Sequence, residues 1–179
     1  AVLLAGTASL VGAMGEAVEV TITNTSKTIL TPPVVAVHKN NPLTFFRTGE
    51  EASVALEKLA EGGMTGDLAD HFAHMGASVV EHNAPLLPGE SVTISVPGYR
   101  KAFVSVGSML LPTNDAFTGV QGVEVRKNRP AMVYAQSYDA GTELNDELCA
   151  NIPGPCAGEG YNAERNDTVN LVHPHPTLH

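Results

Sequence analysis

The hydrophobic pattern of the chain predicts several β-strands. "AVEVTITNTS", from Ala17, places Val18, Val20 and Ile22 between polar residues, the period of two of a half-buried strand. "PPVVAVH" (32–38), with prolines only at its start, and the alternating "ESVTISVPG" (90–98) predict two more. "KAFVSVGSMLL" (101–111) and "PAMVYAQSY" (130–138) are almost continuously apolar, which is typical of central strands. "DTVNLVHPHP" (167–176) predicts a short last strand.

Two stretches change to the helical period. In "TGEEASVALEKLAEGG" (48–63), Thr48 and Glu51 match a capping box, and a glycine pair ends the pattern. Its predicted buried face is formed by Ala52, Ala55, Leu56 and Leu59. "GDLADHFAHMGA" (66–77) repeats Leu68, Phe72 and Met75 at helical spacing. We therefore expect a mainly β protein, an antiparallel β-sandwich with a short helical excursion after the second strand.

The length and the N-terminal segment set the domain organisation. A chain of 179 residues has room for one substantial core, which we assign to residues 17–179. Residues 1–16 form an apolar N-terminal extension that lacks an initiator methionine, which indicates processing, and that is too short to span a bilayer. Two interpretations remain open. The extension packs on its own core, or residues 2–13 are donated as a strand to a neighbouring copy, giving a homo-oligomer or filament.

The charge and the motifs exclude two functional classes. A formal net charge of −9 without any basic run argues against a nucleic-acid partner. We find neither a G-x-S-x-G elbow nor an H-E-x-x-H motif, and no other catalytic arrangement is evident. We expect a protein that is not an enzyme and has no transmembrane segment.

The two cysteines bear on localisation. Cys149 and Cys156 are separated by "ANIPGP", whose prolines and glycine permit a tight return, so we predict a disulfide, with reduced thiols as the alternative. A disulfide implies an oxidising compartment, and hence a secreted, extracellular or cell-surface protein. Asn-x-Ser/Thr sequons at Asn24 and Asn166 fit secretion, although such triplets are common by chance.

The main candidate site is acidic. "SYDAGTELNDELCANIPGPC" (137–156) places four carboxylates within nine residues, namely Asp139, Glu143, Asp146 and Glu147. "SMLLPTNDAFTG" (108–119) is a similar apolar strand that leads into a polar turn, which carries Asp115. If the two strands are neighbours, Asp115, Asp139 and Glu143 meet at one end of the sandwich and supply the oxygen ligands that Ca²⁺ prefers. The alternative is that these acids only cap turns. We expect Asp146 and Glu147 to be solvated.

These motifs resemble the spondin domain family in its bacterial extracellular form. The resemblance rests on "SMLLPTNDAF" and "YDAGTE", supported by "GEEASVALEKLAEGG", "NAPLLPGES" and "LVHPHPTLH", and it covers about residues 17–179. It implies a C2-like sandwich, non-catalytic binding or adhesion to an extracellular or cell-surface ligand, and calcium held by Asp115, Asp139 and Glu143. The chain has glutamate where the family more often has the final aspartate, and it lacks the aromatic residues that often flank these motifs.

The histidines give an alternative metal site. His38 ends an apolar strand, and His173 and His175 alternate near the C-terminus, so the three together could ligate copper. The chain has a more distant resemblance to copper-binding surface proteins of methane-oxidising bacteria, which also use a tryptophan-derived residue that this Trp-free chain lacks. The alternative is that His38 is hydrogen-bonded at its strand end and the others face solvent. We expect His71 and His74 to be exposed on the second helix.

Overall fold

The computed structural model describes residues 2–9, 16–39, 43–126 and 130–176. Their regular structure is antiparallel strands and two short helices, with two single 3₁₀ turns, Cys149–Asn151 and Gly154–Cys156. The helices are α1 (Val54–Gly62) and α2 (Gly66–His74). The strands are β1 (Val2–Ser9), β2 (Glu16–Asn24), β3 (Ile29–Leu30), β4 (Val34–His38), β5 (Ser78–Glu81), β6 (Ser91–Gly98), β7 (Lys101–Leu111), β8 (Ala116–Arg126), β9 (Ala131–Asp139) and β10 (His173–Pro174).

The strands form an antiparallel β-sandwich, as the alternation predicts. Their order is β5-β4-β7-β8-β9-β1-β2-β6, with β3 beside β7 and β10 beside β9. The C-terminal half of β9 pairs with β8, from Ala116↔Asp139 to Gly119↔Gln136. Its N-terminal half pairs with β1, from Val2↔Ala135 to Gly6↔Ala131. Strand β9 therefore connects the two layers.

Two apolar cores explain the burial pattern of β4. Val35 and Val37 point into the core between the layers, which they share with the inward residues of β2, β6 and β7. Val34 and Ala36 point to the other face, where α1, α2 and a group of phenylalanines form a second core. Because both faces of β4 are covered, its sequence is continuously apolar.

The two predicted helices are present, but the first begins later than its capping-box pattern indicates. The N-cap of α1 is Ser53, whose side chain accepts a hydrogen bond from the Leu56 N–H. Gly49 has φ +84°, a left-handed conformation that a helix cannot include, so the Thr48–Glu51 capping box is wrong. The C-terminal glycine signal is right, since Gly63 is in the left-handed conformation and closes α1. Both helices follow β4, the second strand that the sequence pattern predicts (residues 32–38), so the position of the helical excursion is confirmed.

Two strands differ from the expectation. β9 is not buried on both faces, because Met132 and Tyr134 are exposed on it. The sequence pattern also gave no strand for β8, whose apolar positions are interrupted by glycines. Gly119 explains one interruption, since a Cβ there would lie 2.8 Å from the Phe45 ring. The close approach of that ring therefore requires a residue that breaks the strand pattern.

The apolar N-terminal segment lies in the sheet. β1 pairs with β2 from Val2↔Asn24 to Ser9↔Ala17 and with β9 on its other side. None of the helices in the described residues is long and apolar enough to cross a membrane.

Candidate functional site

The acidic motifs meet at one end of the sandwich. Asp115 lies in the turn between β7 and β8, one residue before β8 begins, and Asp139 is the last residue of β9. Because Ala116 and Asp139 are register partners, the turn and the loop that follows β9 are adjacent. Glu143 lies in that loop, and all three acids are buried, with exposed fractions of 0%, 0% and 4%.

Asp139 acts as a turn cap. Its Oδ1 accepts a hydrogen bond from the Gly141 N–H (2.8 Å), and its Oδ2 accepts one from the Asn145 side-chain amide (2.6 Å). Gly141 has φ +70°, and a Cβ there would lie 2.6 Å from the backbone of Leu171, so only glycine fits. Both carboxylate oxygens of Asp139 are thus used to shape the loop.

Asp115 is held by the same loop through one oxygen only. Its Oδ2 accepts hydrogen bonds from the Thr142 N–H (2.8 Å), the Glu143 N–H (3.1 Å) and the Thr142 hydroxyl (3.2 Å). Its Oδ1 is buried and has no hydrogen-bond partner. The loop after β9 therefore fixes the orientation of this carboxylate through Oδ2 and leaves Oδ1 without a hydrogen-bond donor.

A fourth acid, Glu61, joins the cluster from the last turn of α1. It is 1% exposed; its Oε2 accepts a hydrogen bond from the Asn162 N–H (2.9 Å), whereas its Oε1 has no partner. Sequence reasoning placed Glu61 in a helix and gave it no chemical role. A signal was present, because an acid in the last turn opposes the helix dipole and no basic residue accompanies it there.

The charges of these acids are coupled. Burial, followed by the charges of Glu61 and Asp115, raises the pKa of Glu143 to about 8. Burial also raises the pKa of Glu61 to about 7, against the opposing hydrogen bonds from Asn162 and Thr142, and the charges of Glu57 and Asp115 add smaller effects. For Asp115, burial and then the charge of Asp139 raise the pKa to about 6, against the opposing hydrogen bonds from Thr142 and Glu143. Full ionisation of all three at neutral pH is therefore unfavourable unless a cation compensates their charge.

The donor set fits a hard cation. Within the described residues, the buried side-chain atoms without a hydrogen-bond partner are Glu61 Oε1, Asp115 Oδ1 and Glu143 Oε2. Carboxylate oxygens are the preferred ligands of Ca²⁺, and an unpartnered buried oxygen costs free energy that a bound cation would recover. The described His, Cys, Asp and Glu side chains do not form a ready-made group of three or more around a metal. A cation would have to draw these carboxylates together.

A neighbouring acid on α1 shows the contrasting case. Glu57 is also buried, but Arg165 satisfies it through two bonds of 3.0 Å, from Nε to Oε1 and from Nη2 to Oε2. Arg165 Nη2 also donates to the Ala52 carbonyl (2.7 Å). Glu57 is therefore neutralised by a side chain, and the cluster at Glu61 has no comparable basic partner in the contacts described for it.

The proposed copper ligands lie at different ends of the sheet. His38 is buried, with Nε2 3.1 Å from the Ser105 hydroxyl and its ring stacked on Phe103. Phe103, which stacks on His38, pairs with Glu124 of β8. His173 pairs with Asp139 of β9, and Asp139 is opposite Ala116, which is also on β8. Eight residues of extended strand correspond to roughly 20 Å or more.

The structure therefore does not bring His38 together with His173 or His175. His173 Nδ1 lies 2.9 Å from the Leu171 carbonyl oxygen and 3.8 Å from Asp139 Oδ1, and His175 is buried beside β9. The helix residues His71 and His74 are exposed, as expected.

The predicted cysteine pair is confirmed: Cys149 and Cys156 form a disulfide with a Cα–Cα distance of 4.9 Å. The two sequons differ in accessibility. Asn24 is fully buried, and its side chain donates to the carbonyls of Thr28 and Leu86. Asn166 is exposed, and its side-chain oxygen accepts a hydrogen bond from the Leu144 N–H.

Comparison of the chain with protein-family models and with curated proteins finds no match. The likeness to spondin domains therefore remains one of short motifs.

Proposed function

We propose that the protein is a secreted, non-catalytic β-sandwich that binds an extracellular or cell-surface ligand and is stabilised by calcium. The observation that carries the calcium proposal is that Glu61, Asp115 and Glu143 each keep one buried carboxyl oxygen without a hydrogen-bond partner, and that their charges act on one another. Glu61 takes the place that the family resemblance gives to Asp139, since both oxygens of Asp139 are already bonded within its loop.

Calcium at this position would join three separate parts of the chain. Glu61 comes from the end of α1, Asp115 from the β7–β8 turn and Glu143 from the loop after β9. The ion would compensate the burial and the mutual repulsion that raise the pKa values of these acids, and would thereby fix the two loops that form this end of the sandwich. Extracellular calcium modules work with dissociation constants of about 10⁻⁴–10⁻³ M, so modest affinity is sufficient outside the cell.

The disulfide supports the extracellular part of this proposal. Cys149 and Cys156 close a short segment directly after the acidic loop. Disulfides persist in oxidising compartments such as the extracellular space, where calcium modules of modest affinity also function. A copper centre made from His38, His173 and His175 is not proposed, because His38 is level with one end of β8 and the other two histidines are level with its opposite end.

The calcium proposal is tested by thermal unfolding at pH 8 in calcium or in excess chelator. Calcium at about one hundred times its dissociation constant contributes about 2.7 kcal/mol, which raises the Tm of a chain of this size by about 5–10 °C. Glu143→Gln should remove most of that difference, because it removes one ligand. Glu147→Gln, in the same loop but exposed, should keep it. Equal Tm values of the unmodified protein in calcium and in chelator would refute the calcium site.

A further inference from the structure

Strand β1 has an unusual position for the first strand of the chain. It lies inside the sheet, with eight register pairs to β2 and five to β9. β1 and β10 pair with the same edge of β9, one after the other. The His175 N–H, just after β10, donates to the Ser137 carbonyl of β9, and two residues away on β9, Ala135 pairs with Val2 of β1. Both β2 and β9 depend on β1 to complete their backbone pairing.

Two large apolar side chains are exposed on the strand beside β1. Met132 and Tyr134 of β9, which are the register partners of Ala5 and Leu3, are 65% and 68% exposed. Pairing between β8 and β9 stops at Gly119↔Gln136, so the two strands separate beyond that point. A groove of about 530 Å³ lies between them, and its walls contain apolar side chains such as Val120, Val123 and Val133 together with the polar Arg47, Gln121 and Gln136. Exposed apolar side chains next to such a groove are typical of a surface that another protein covers.

The sequence that joins β1 to β2 permits β1 to leave its own copy. Residues 10–15 read "LVGAMG", with two glycines and no charged residue. Seven residue steps separate Ser9 from Glu16, and an extended chain covers at most roughly 25 Å over that number. A donated β1 would therefore hold a second copy directly against the first, and the apolar surface around Met132 and Tyr134 lies next to the strand that would be donated.

We infer that β1 of one copy fills the position between β9 and β2 of a second copy, so that identical chains assemble head to tail. Every backbone pair of β1 is kept in this exchange, because the accepting strands are the same in each copy. The added contact between copies covers Met132 and Tyr134. Because donor and acceptor surfaces differ, each addition leaves a new donor or acceptor free, and the contact grows an open filament. This inference is independent of the calcium site, to which β1 contributes no residue.

Disulfide trapping in the full-length chain tests the inference. Ala5→Cys and Met132→Cys together place two cysteines at a register pair of β1 and β9. After mild oxidation at about 100 µM protein, strand donation should give a ladder of covalent multimers on a denaturing, non-reducing gel. An equimolar mixture of the two single variants should give disulfide dimers that contain one chain of each kind.

Thr21→Cys with Thr93→Cys is the matched control. These residues are register partners in β2 and β6, and their hydroxyls are 2.9 Å apart, but neither strand is exchanged. This pair should crosslink only within one chain under the same conditions. Monomers alone from the Ala5→Cys/Met132→Cys protein, whether internally crosslinked or with free thiols, would overturn the proposal. Dimers without larger species would show reciprocal exchange and would overturn the filament.

Discussion

The buried acids at this end of the protein differ in the partners of their carboxylate oxygens. Asp139 has hydrogen-bond donors for both oxygens, Glu57 has Arg165, and Glu61, Asp115 and Glu143 each keep one oxygen without a partner. An unsatisfied buried oxygen costs about 1–3 kcal/mol, and more when it is charged. Three such atoms in one cluster are therefore expensive in the metal-free protein and advantageous when a cation is bound.

Two isosteric substitutions separate these roles. Asp115→Asn should abolish the calcium-dependent rise in Tm, because it removes one ligand charge while its remaining oxygen can still accept from Thr142 and Glu143. Asp139→Asn should lower stability by about 1–3 kcal/mol in calcium and in chelator alike, because its new amide must face a hydrogen-bond donor. The measurement is the Tm of each variant with and without calcium. If Asp139→Asn alone lost the calcium response, Asp139 would be a calcium ligand, as the spondin resemblance implies, and the proposed role of Asp115 would be wrong.

At the scale of elements, the site depends on contacts between α1 and the loop before β10. Arg165 ties this loop to Glu57 and to the Ala52 carbonyl, and the Asn162 N–H ties it to Glu61. The same loop supports the acidic loop after β9, since the Asn166 N–H donates to the Thr142 carbonyl. The cation ligands are thus held by three packed segments, each of which needs the others for its conformation.

The ion pair of Arg165 with Glu57 should be a large contributor to this arrangement. Arg165→Met leaves a buried carboxylate without its partner and should cost about 3–5 kcal/mol. The double variant Arg165→Met/Glu57→Gln should recover part of that loss, because no unpaired charge remains. Arg47→Met is the control, since its ion pair with Glu50 is 60% exposed on both sides and such pairs contribute about 0–1 kcal/mol.

Urea unfolding of these variants measures the differences. An Arg165→Met protein as stable as the Arg47→Met protein would contradict the proposed role of the buried pair.

For the whole molecule, the acidic cluster predicts a pH dependence of the metal-free state. Glu143, Glu61 and Asp115 have pKa values of about 8, 7 and 6 in the fold, above their ordinary values. Between pH 5 and 8 the folded chain therefore binds more protons at these groups than the unfolded chain does, so their contribution to stability falls as pH rises. Calcium competes with those protons, and its stabilising effect should increase over the same interval.

The measurement is Tm against pH from 5 to 8, with calcium and with chelator. The gap between the two curves should widen toward pH 8 in the unmodified protein. In Glu61→Gln/Glu143→Gln the chelator curve should fall less steeply, because two of the three titrating groups are gone. If the difference in Tm between the two curves stayed constant in the unmodified protein, calcium would not bind at this cluster.

Local sequence patterns determined much of the architecture because the physics behind them is local. Alternation at Val18, Val20 and Ile22 defines a half-buried strand wherever its partner lies, and the glycine at 63 ends α1 through its own backbone conformation. The spacing of Cys149 and Cys156 defined a closable loop in the same way.

Tertiary structure decided what depends on residues distant in the chain. Glu61 reaches the acidic loop because α1 packs against a sheet whose strands come later; an acid in the last turn of a helix marks Glu61 as unusual, but it does not show which loop Glu61 meets. His38 and His173 are the same residue type, but the strand pairing places them level with positions of β8 that are eight residues apart. The sequence therefore determined where strands, turns and acids occur, whereas strand register decided which of these acids and histidines meet, because register is set by pairing between distant segments.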